Sequence, residues 1–363
     1  MDSYLSKYDV DLAYYRAVDL LRLMIQTPSV SRDEAAVADL IMNFAEQQGV
    51  RPRRLGNNLI FEPSNPDPQK PNLLLNSHID TVRPVASWTR DPFAATEEGG
   101  RLYGLGSNDA GASLVSLLLT WLMLAPTEQP YNLYFVASAE EEVSGAGGIA
   151  SVLPELPQFA FAVVGEPTGM QPAVAEKGLM VIDGAVRGKS GHAARNEGVN
   201  AIYKALPVVE ALRDYRFPKV SPHLGAVKVS VTQINAGTAH NVVPDLCTFV
   251  VGVRTNECYA NEEAFRLLQE AVEGSAELKA RSFRLNSSSV SEDHPLVVRA
   301  KMLGKTPYGS PTLSDQALLR CPSVKMGPGE SARSHTADEY VELDELRCGI
   351  AEYVHLLDGL RID

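Results

Sequence analysis

Apolar residues recur at three- and four-residue spacing over residues 12–25 and 34–48, which predicts two amphipathic helices. Ser31 or Asp33 is the expected cap of the second. Short apolar runs bounded by turn residues follow at 58–61, 72–76, 131–137 and 160–164, and an apolar helix is expected over 114–124. Runs of that length and flank read as buried strands, and their alternation with helices predicts a largely parallel α/β sheet covered by helices.

The pattern changes in the middle of the chain. A strand at 179–186, a helix at 199–215, strands at 227–234 and 247–254, a helix at 260–273 and a strand at 279–285 give the order β-α-β-β-α-β. That order is the signature of a ferredoxin-like sandwich. After a polar stretch at 287–294 the chain returns to helix, strand (323–326) and helix (343–357). The expected organisation is therefore a larger α/β domain built from residues 1–178 and 288–363, with an inserted α+β lid at 179–287. There is no internal repeat and no low-complexity tract.

Composition narrows the function classes. A chain of 363 residues has room for two domains, and 45% hydrophobic residues exclude whole-chain disorder. With 33 basic against 45 acidic residues the net charge is −12, which argues against nucleic acid or an anionic membrane as main partner. No apolar run reaches the ~18 residues of a transmembrane helix, and the first residues lack the basic start and apolar stretch of a signal peptide. Cys247, Cys258, Cys321 and Cys348 lie far apart without metal spacing, and read as free core thiols of a cytoplasmic protein.

Ionisable groups repeatedly follow apolar runs. His78 and Asp80 follow the first, Glu140, Glu141 and Glu142 the second, Glu166 the third, and His335 comes after the run near Val324. Ligands of open α/β sheets bind outside the carboxyl ends of the strands, so four strand ends would bring two histidines and several carboxylates to one edge. Asp109, ahead of the 114–124 helix, would join them there.

Each piece alone has a plainer reading. Asp109 would be a helix cap, the glutamate run a solvated helix face, and His78 with Asp80 a surface pair. Gly104-Leu-Gly106 lacks the third glycine and the preceding strand of a dinucleotide fingerprint, which excludes a nucleotide site. Gathered at strand ends, the groups favour a metal centre. Imidazole and carboxylate donors without thiolate suit zinc, cobalt or manganese, and two such ions sit about 3.5–4 Å apart, so one carboxylate reaches both. Asp80, two residues after His78 in an extended segment, is placed to orient its imidazole.

Six motifs complete the pattern: Ser77-His-Ile-Asp-Thr81, Gly104-Leu-Gly-Ser-Asn-Asp109, Ala139-Glu-Glu-Glu142, Gly165-Glu-Pro-Thr168, Gly191-His192-Ala and Ser334-His335-Thr-Ala-Asp338. With them the chain resembles the M20 family of co-catalytic zinc amidohydrolases over essentially its whole length. The acetylornithine deacetylase and succinyl-diaminopimelate desuccinylase branch is the nearest. The resemblance implies a zinc-exopeptidase-like catalytic domain with an inserted lid that also pairs two chains into a homodimer. It implies two zinc ions, replaceable by cobalt or manganese: His78 and Glu166 would hold one, Glu142 and His335 the other, and Asp109 would bridge both. Glu141 would be the general base, with Asp80 beside it in the catalytic set.

In the lid, His192 resembles the family histidine that reaches the partner subunit's site and stabilises an oxyanion. Asn241 and Arg254 lie in segments resembling those that hold the substrate carboxylate, for which a guanidinium is well suited. His240 has no assigned role, and His223, His294 and His355 read as surface or packing residues. The sequence departs from the family in Glu140, where Asp is common, and in Ala110-Gly111-Ala112, which replaces Met-Lys-Gly. Neither departure falls on a ligand. The implied activity is removal of an N-acyl group from an amino acid, acetylornithine in arginine biosynthesis first among them. Alternatives are an N-acetyl- or N-succinyl-citrulline deacylase, a succinyl-diaminopimelate desuccinylase, a di- or aminopeptidase, and a metal-binding module without catalysis.

Overall fold

A computed structural model describes residues 7–362. In chain order its elements begin with α1 (Val10–Ile25), α2 (Ala35–Gln47), β1 (Arg53–Leu55), β2 (Asn58–Phe61), β3 (Asn72–His78), β4 (Thr96–Glu98), β5 (Arg101–Tyr103), α3 (Ala112–Leu124) and β6 (Asn132–Ser138). They continue with α4 (Ile149–Val152), β7 (Phe161–Val164), β8 (Ala173–Glu176), β9 (Met180–Arg187), β10 (Gly191–His192), α5 (Ala201–Asp214), β11 (Lys228–Ala236), β12 (Val242–Val243), β13 (Leu246–Arg254) and α6 (Asn261–Ala271). The last are β14 (Glu277–Ala280), β15 (Ser288–Ser289), α7 (Pro295–Met302), β16 (Tyr308–Ser310), β17 (Ser323–Lys325), β18 (Tyr340–Glu342) and α8 (Leu343–Leu357). The chain divides into two compact units, one of residues 7–174, 290–308 and 314–362, the other of residues 175–289 and 309–313.

The first unit is a mixed α/β layer structure. Its sheet runs β1-β2-β6-β3-β7-β17-β8, with β6, β3, β7 and β17 mutually parallel and β2 and β8 antiparallel at the flanks. Side chains alternate across a strand, and both faces of β3 are covered. Leu73 and Leu75 join Leu21, Leu117, Phe135 and Tyr353 on one face, while Leu74 joins Ile60, Val136 and Ile149 on the other. Each such side chain contributes roughly 1.5–3 kcal/mol on burial. Helix α3 is apolar almost all round because it is buried almost all round, packed with α1 and α8.

The second unit has an antiparallel sheet ordered β11-β13-β9-β14. Alternate residues of β9 are buried, so Met180, Ile182 and Val186 meet Val208 and Leu212 of α5 and Leu268 of α6. A separate two-stranded ribbon pairs β10 with β12.

Three local expectations are corrected. The strand expected over 279–285 ends at Ala280, because the Asn261 amide draws in the backbone carbonyls of Phe283 and Leu285 at 3.3 and 2.8 Å. Neither Ser31 nor Asp33 caps α2; its N-cap residue is Glu34, without a side-chain cap, and the Ser31 hydroxyl is used elsewhere. All four cysteines are free; Cys247 is buried in a core and Cys258 and Cys321 pack partly buried against one, but Cys348 is exposed and is not a core thiol.

Candidate metal centre

The parallel strands end in register. His78 of β3 pairs with Ser138 of β6, and Asn76 of β3 with Val164 of β7, which in turn pairs with Lys325 of β17. The residues just past each strand are therefore delivered to one sheet edge, the place where open α/β sheets bind ligands. The passage from β7 to Glu166 requires glycine: a Cβ on Gly165 would lie 2.6 Å from Leu117 Cδ1 and 3.2 Å from Ser77 Cβ.

Two groups of donors meet there. His78, Asp109 and Glu166 form one and Asp109, Glu142 and His335 the other, with the donor atoms of each group within 4.8 Å of one another. His78 Nε2 lies 3.3 Å from Asp109 Oδ1 and 3.7 Å from Glu166 Oε1. His335 Nε2 lies 2.9 Å from Glu142 Oε2 and 3.5 Å from Asp109 Oδ2. Asp109 thus turns one oxygen towards each histidine. Glu141 enters from the side, its Oε2 4.0 Å from His78 Nε2. Asp109 does not cap a helix: it sits in an irregular segment ahead of α3, whose N-cap residue is Gly111.

Bracing of the cluster is dense. His78 Nδ1 lies 2.9 Å from the Asp80 backbone carbonyl, closer than the 3.5 Å to the Asp80 carboxylate. A carbonyl only accepts, so in the neutral ring Nδ1 carries the proton and Nε2 keeps its lone pair towards Asp109 and Glu166. The Asp80 carboxylate instead accepts the backbone N–H groups of Glu141 and Glu142, at 3.0 and 3.2 Å, and the Ser31 hydroxyl at 2.7 Å. It fixes the turn that presents the glutamates, and that turn is not a solvated helix face.

The glutamates Glu141 and Glu166 and both histidines are shifted upward, whereas in Asp80 and Asp109 burial is outweighed by the bonds to His78 and both are lowered. Burial pushes Glu166 up to about 8, with repulsion from Asp109 adding, and burial also raises Glu141 well above the usual carboxylate range. His335 is raised to about 9, chiefly by its bond to Glu142. Burial disfavours a charge on His78, yet its bonds to Asp109 and Asp80 prevail and raise it. The cluster holds surplus negative charge and stabilises cations, proton or metal ion. Two imidazoles and three carboxylates without thiolate fit hard or borderline divalent ions.

Three buried carboxylates around the cluster escaped the sequence. Glu339 accepts backbone N–H groups of Gly106, Asn108 and Asp109. Glu34 accepts the N–H of Glu140 at 3.2 Å and the Asn57 amide at 2.9 Å. Asp315 accepts the Ser138 hydroxyl at 2.7 Å, and burial raises it to about 6. Glu339 had a signal, since it directly follows the His335 motif; the other two had none.

The remaining candidates belong to the second unit. His192 and Asn241 are neighbours on the ribbon: Ala193 donates its N–H to the Asn241 carbonyl at 3.0 Å, and both side chains are exposed. Arg254 is half-buried at the end of β13, paired with Lys228.

Residues 74–359 match Peptidase family M20/M25/M40. The chain belongs to that family. Acetylornithine deacetylase of Proteus mirabilis (strain HI4320) is 29% identical over 365 residues, spanning 90% of this chain and 92% of that protein. Its counterpart in Shigella sonnei (strain Ss046) is 30% identical over 360 residues, with the same coverage. Among solved structures, aminopeptidase PepT from Bacillus cereus ATCC 10987 superposes with a TM-score of 0.75 at 18% identity, covering 95% of this chain and 98% of that one. A dinuclear metal-binding M20 peptidase from Bacillus subtilis gives 0.75 at 18%, covering 96% and 98%. These likenesses make the chain an M20 hydrolase of amide bonds with a mixed α/β fold. Among the described residues, no helix of this M20 protein is long and apolar enough to cross a membrane.

Proposed function

We propose that this M20 hydrolase removes a short acyl group from the amino nitrogen of an amino acid, with acetylornithine as the preferred substrate. The supporting observation is the pair of donor groups that share Asp109, with Glu141 beside them. His78 and Glu166 would hold one divalent ion and Glu142 and His335 a second, with Asp109 available to both. Such ions would supply polarisation of the amide carbonyl and a lowered pKa for water. Glu141 takes a proton from the attacking water and returns it to the departing nitrogen, a task suited to a carboxyl whose burial raises its pKa. Asp80 keeps His78 and the Glu141–Glu142 turn aligned.

The deacetylases that match at 29–30% over 90% of the chain support the substrate class. The second unit acts as lid and dimerisation domain of a cytoplasmic homodimer. His192 serves the partner subunit's site as an oxyanion donor, while Asn241 and Arg254 receive the substrate carboxylate.

A hydrolysis screen of the zinc- or cobalt-loaded protein tests this reading. Acetylornithine should show the highest kcat/KM among acetylornithine, acetylcitrulline, their succinyl analogues, succinyl-diaminopimelate and dipeptides. A dipeptide in first place would overturn it.

A further inference from the structure

The segment that brings Asp109 to the cluster is irregular. Gly106 has φ +76°, a Cβ there would lie 2.6 Å from Thr81 Cγ2, and Asp109 and Ala110 depart from helical dihedrals before α3 begins. Backbone N–H groups in such a stretch have neither ladder nor helix to accept them, and a buried one left without an acceptor is costly. One side chain accepts three of them. Glu339, 2% exposed, takes the N–H groups of Asn108 at 2.8 Å and Asp109 at 2.9 Å on Oε1, and that of Gly106 at 3.1 Å on Oε2.

Asn108 ties the same stretch to the segment before His335. Its side-chain oxygen accepts the Glu330 N–H at 2.9 Å and its amide donates to the Glu330 carbonyl at 3.1 Å. Glu339 therefore grips the backbone of Asp109 through its N–H, four residues along the chain from His335.

We propose that Glu339 is the positioning residue of the shared carboxylate: by fixing the 106–109 backbone it keeps the two oxygens of Asp109 facing His78 and His335 at once. The inference rests on the dinuclear reading above and adds a signature. A residue acting through the shared ligand must weaken both metal sites together, whereas loss of a ligand to one ion weakens one. In Glu339→Gln the shape is kept, but an amide N–H₂ faces at least one of the three N–H groups, donor against donor, and the loop is displaced.

The experiment is calorimetric titration of metal-free protein with Zn²⁺, alongside melting of the metal-free forms. Wild type should take up two equivalents; fewer than two would sink the dinuclear reading without bearing on Glu339. With two established, Glu339→Gln should lose affinity at both sites by similar factors, roughly 10- to 100-fold each. His335→Asn should lose it at one. Unchanged affinities with a lower melting temperature would make Glu339 a purely structural residue and overturn the proposal, as would loss at a single site. If Glu339→Gln does not fold, Glu339→Asp, which keeps the charge one methylene short, decides by the same two outcomes.

Discussion

The candidate metal-ligand cluster of the first unit and the ribbon bearing His192 in the second hold their side chains in opposite ways. His78 is 2% exposed, and Asp80 beside it and Glu339 beneath the Asp109 backbone are equally buried, each engaged in several hydrogen bonds. His335 is the outermost member, yet it is tied to Glu142 by a 2.9 Å contact. On the ribbon, His192 has one side-chain bond, accepting the Ala194 N–H at Nδ1 over 3.2 Å, and residues 192–199 are all exposed. The first arrangement is preorganised, so little reordering accompanies ion binding. The second leaves its side chain free to adapt to what it meets. The difference teaches that a set of concentrated charges is held rigid by burial and dense hydrogen bonding, while a side chain on an exposed ribbon with one bond keeps its freedom.

The largest effect expected of this contrast lies within the rigid region. Glu141→Ala should lower kcat about 10²- to 10⁴-fold while retaining two metals, because a base contributes to proton transfer and a ligand to affinity. Glu142→Ala should lose one equivalent. Metal analysis of both purified variants decides between the roles, and the opposite pattern would exchange them.

On the pliable side the expected loss is smaller and purely kinetic. His192→Ala should cost about 10²–10³ in kcat, with metal content and the melting temperature of the metal-free protein unchanged. A change in either quantity would break the contrast between the regions. Mixed dimers of Glu141→Ala and His192→Ala chains sharpen it further. Activity above that of the two separately refolded variants places His192 in its partner's site, and none beyond their sum places it in its own.

The smallest effect is on stability. Glu166 is raised from 4.5 to about 8 and His335 from 6.5 to about 9, so between pH 6.5 and 9 the folded metal-free protein binds more protons than the unfolded chain. Its stability then falls as pH rises through that window. Bound ions take the place of those protons, so the gap in melting temperature between loaded and metal-free protein should widen from pH 6.5 to pH 8.5. Each ~1 kcal/mol is worth about 2–4 °C in a domain of this size. Calorimetric melts of both forms at the two pH values measure it, and a constant gap would contradict the role of proton release.

Much of the fold was legible because its strands are buried on both faces. Continuous apolar runs such as 72–76 and 160–164 announce themselves without reference to partners, and the ionisable residues after them foretell a common edge. The 279–285 run misled because a single buried amide, Asn261, outcompeted the ladder for its carbonyls. At the centre, histidines and carboxylates stood out by their position after strands. The bracing residues did not. Glu34 and Asp315 meet their partners across about a hundred residues or more, and a lone acidic residue in a polar stretch reads as solvated until tertiary contacts bury it. Asp80 shows the same limit at short range: its neighbourhood with His78 was readable, but its hold on two peptide groups sixty residues away was not.

That hold has a dynamic corollary. The Asp80 residue touches the His78 ring through its carbonyl and the amides of Glu141 and Glu142 through its carboxylate, so groups from the ends of two strands are fastened to one residue. Thermal displacements of these groups are then correlated rather than independent. When β3 and the turn after β6 breathe, the His78 ring, Glu141 and Glu142 travel as one body, and their mutual distances vary less than their distance to the solvent.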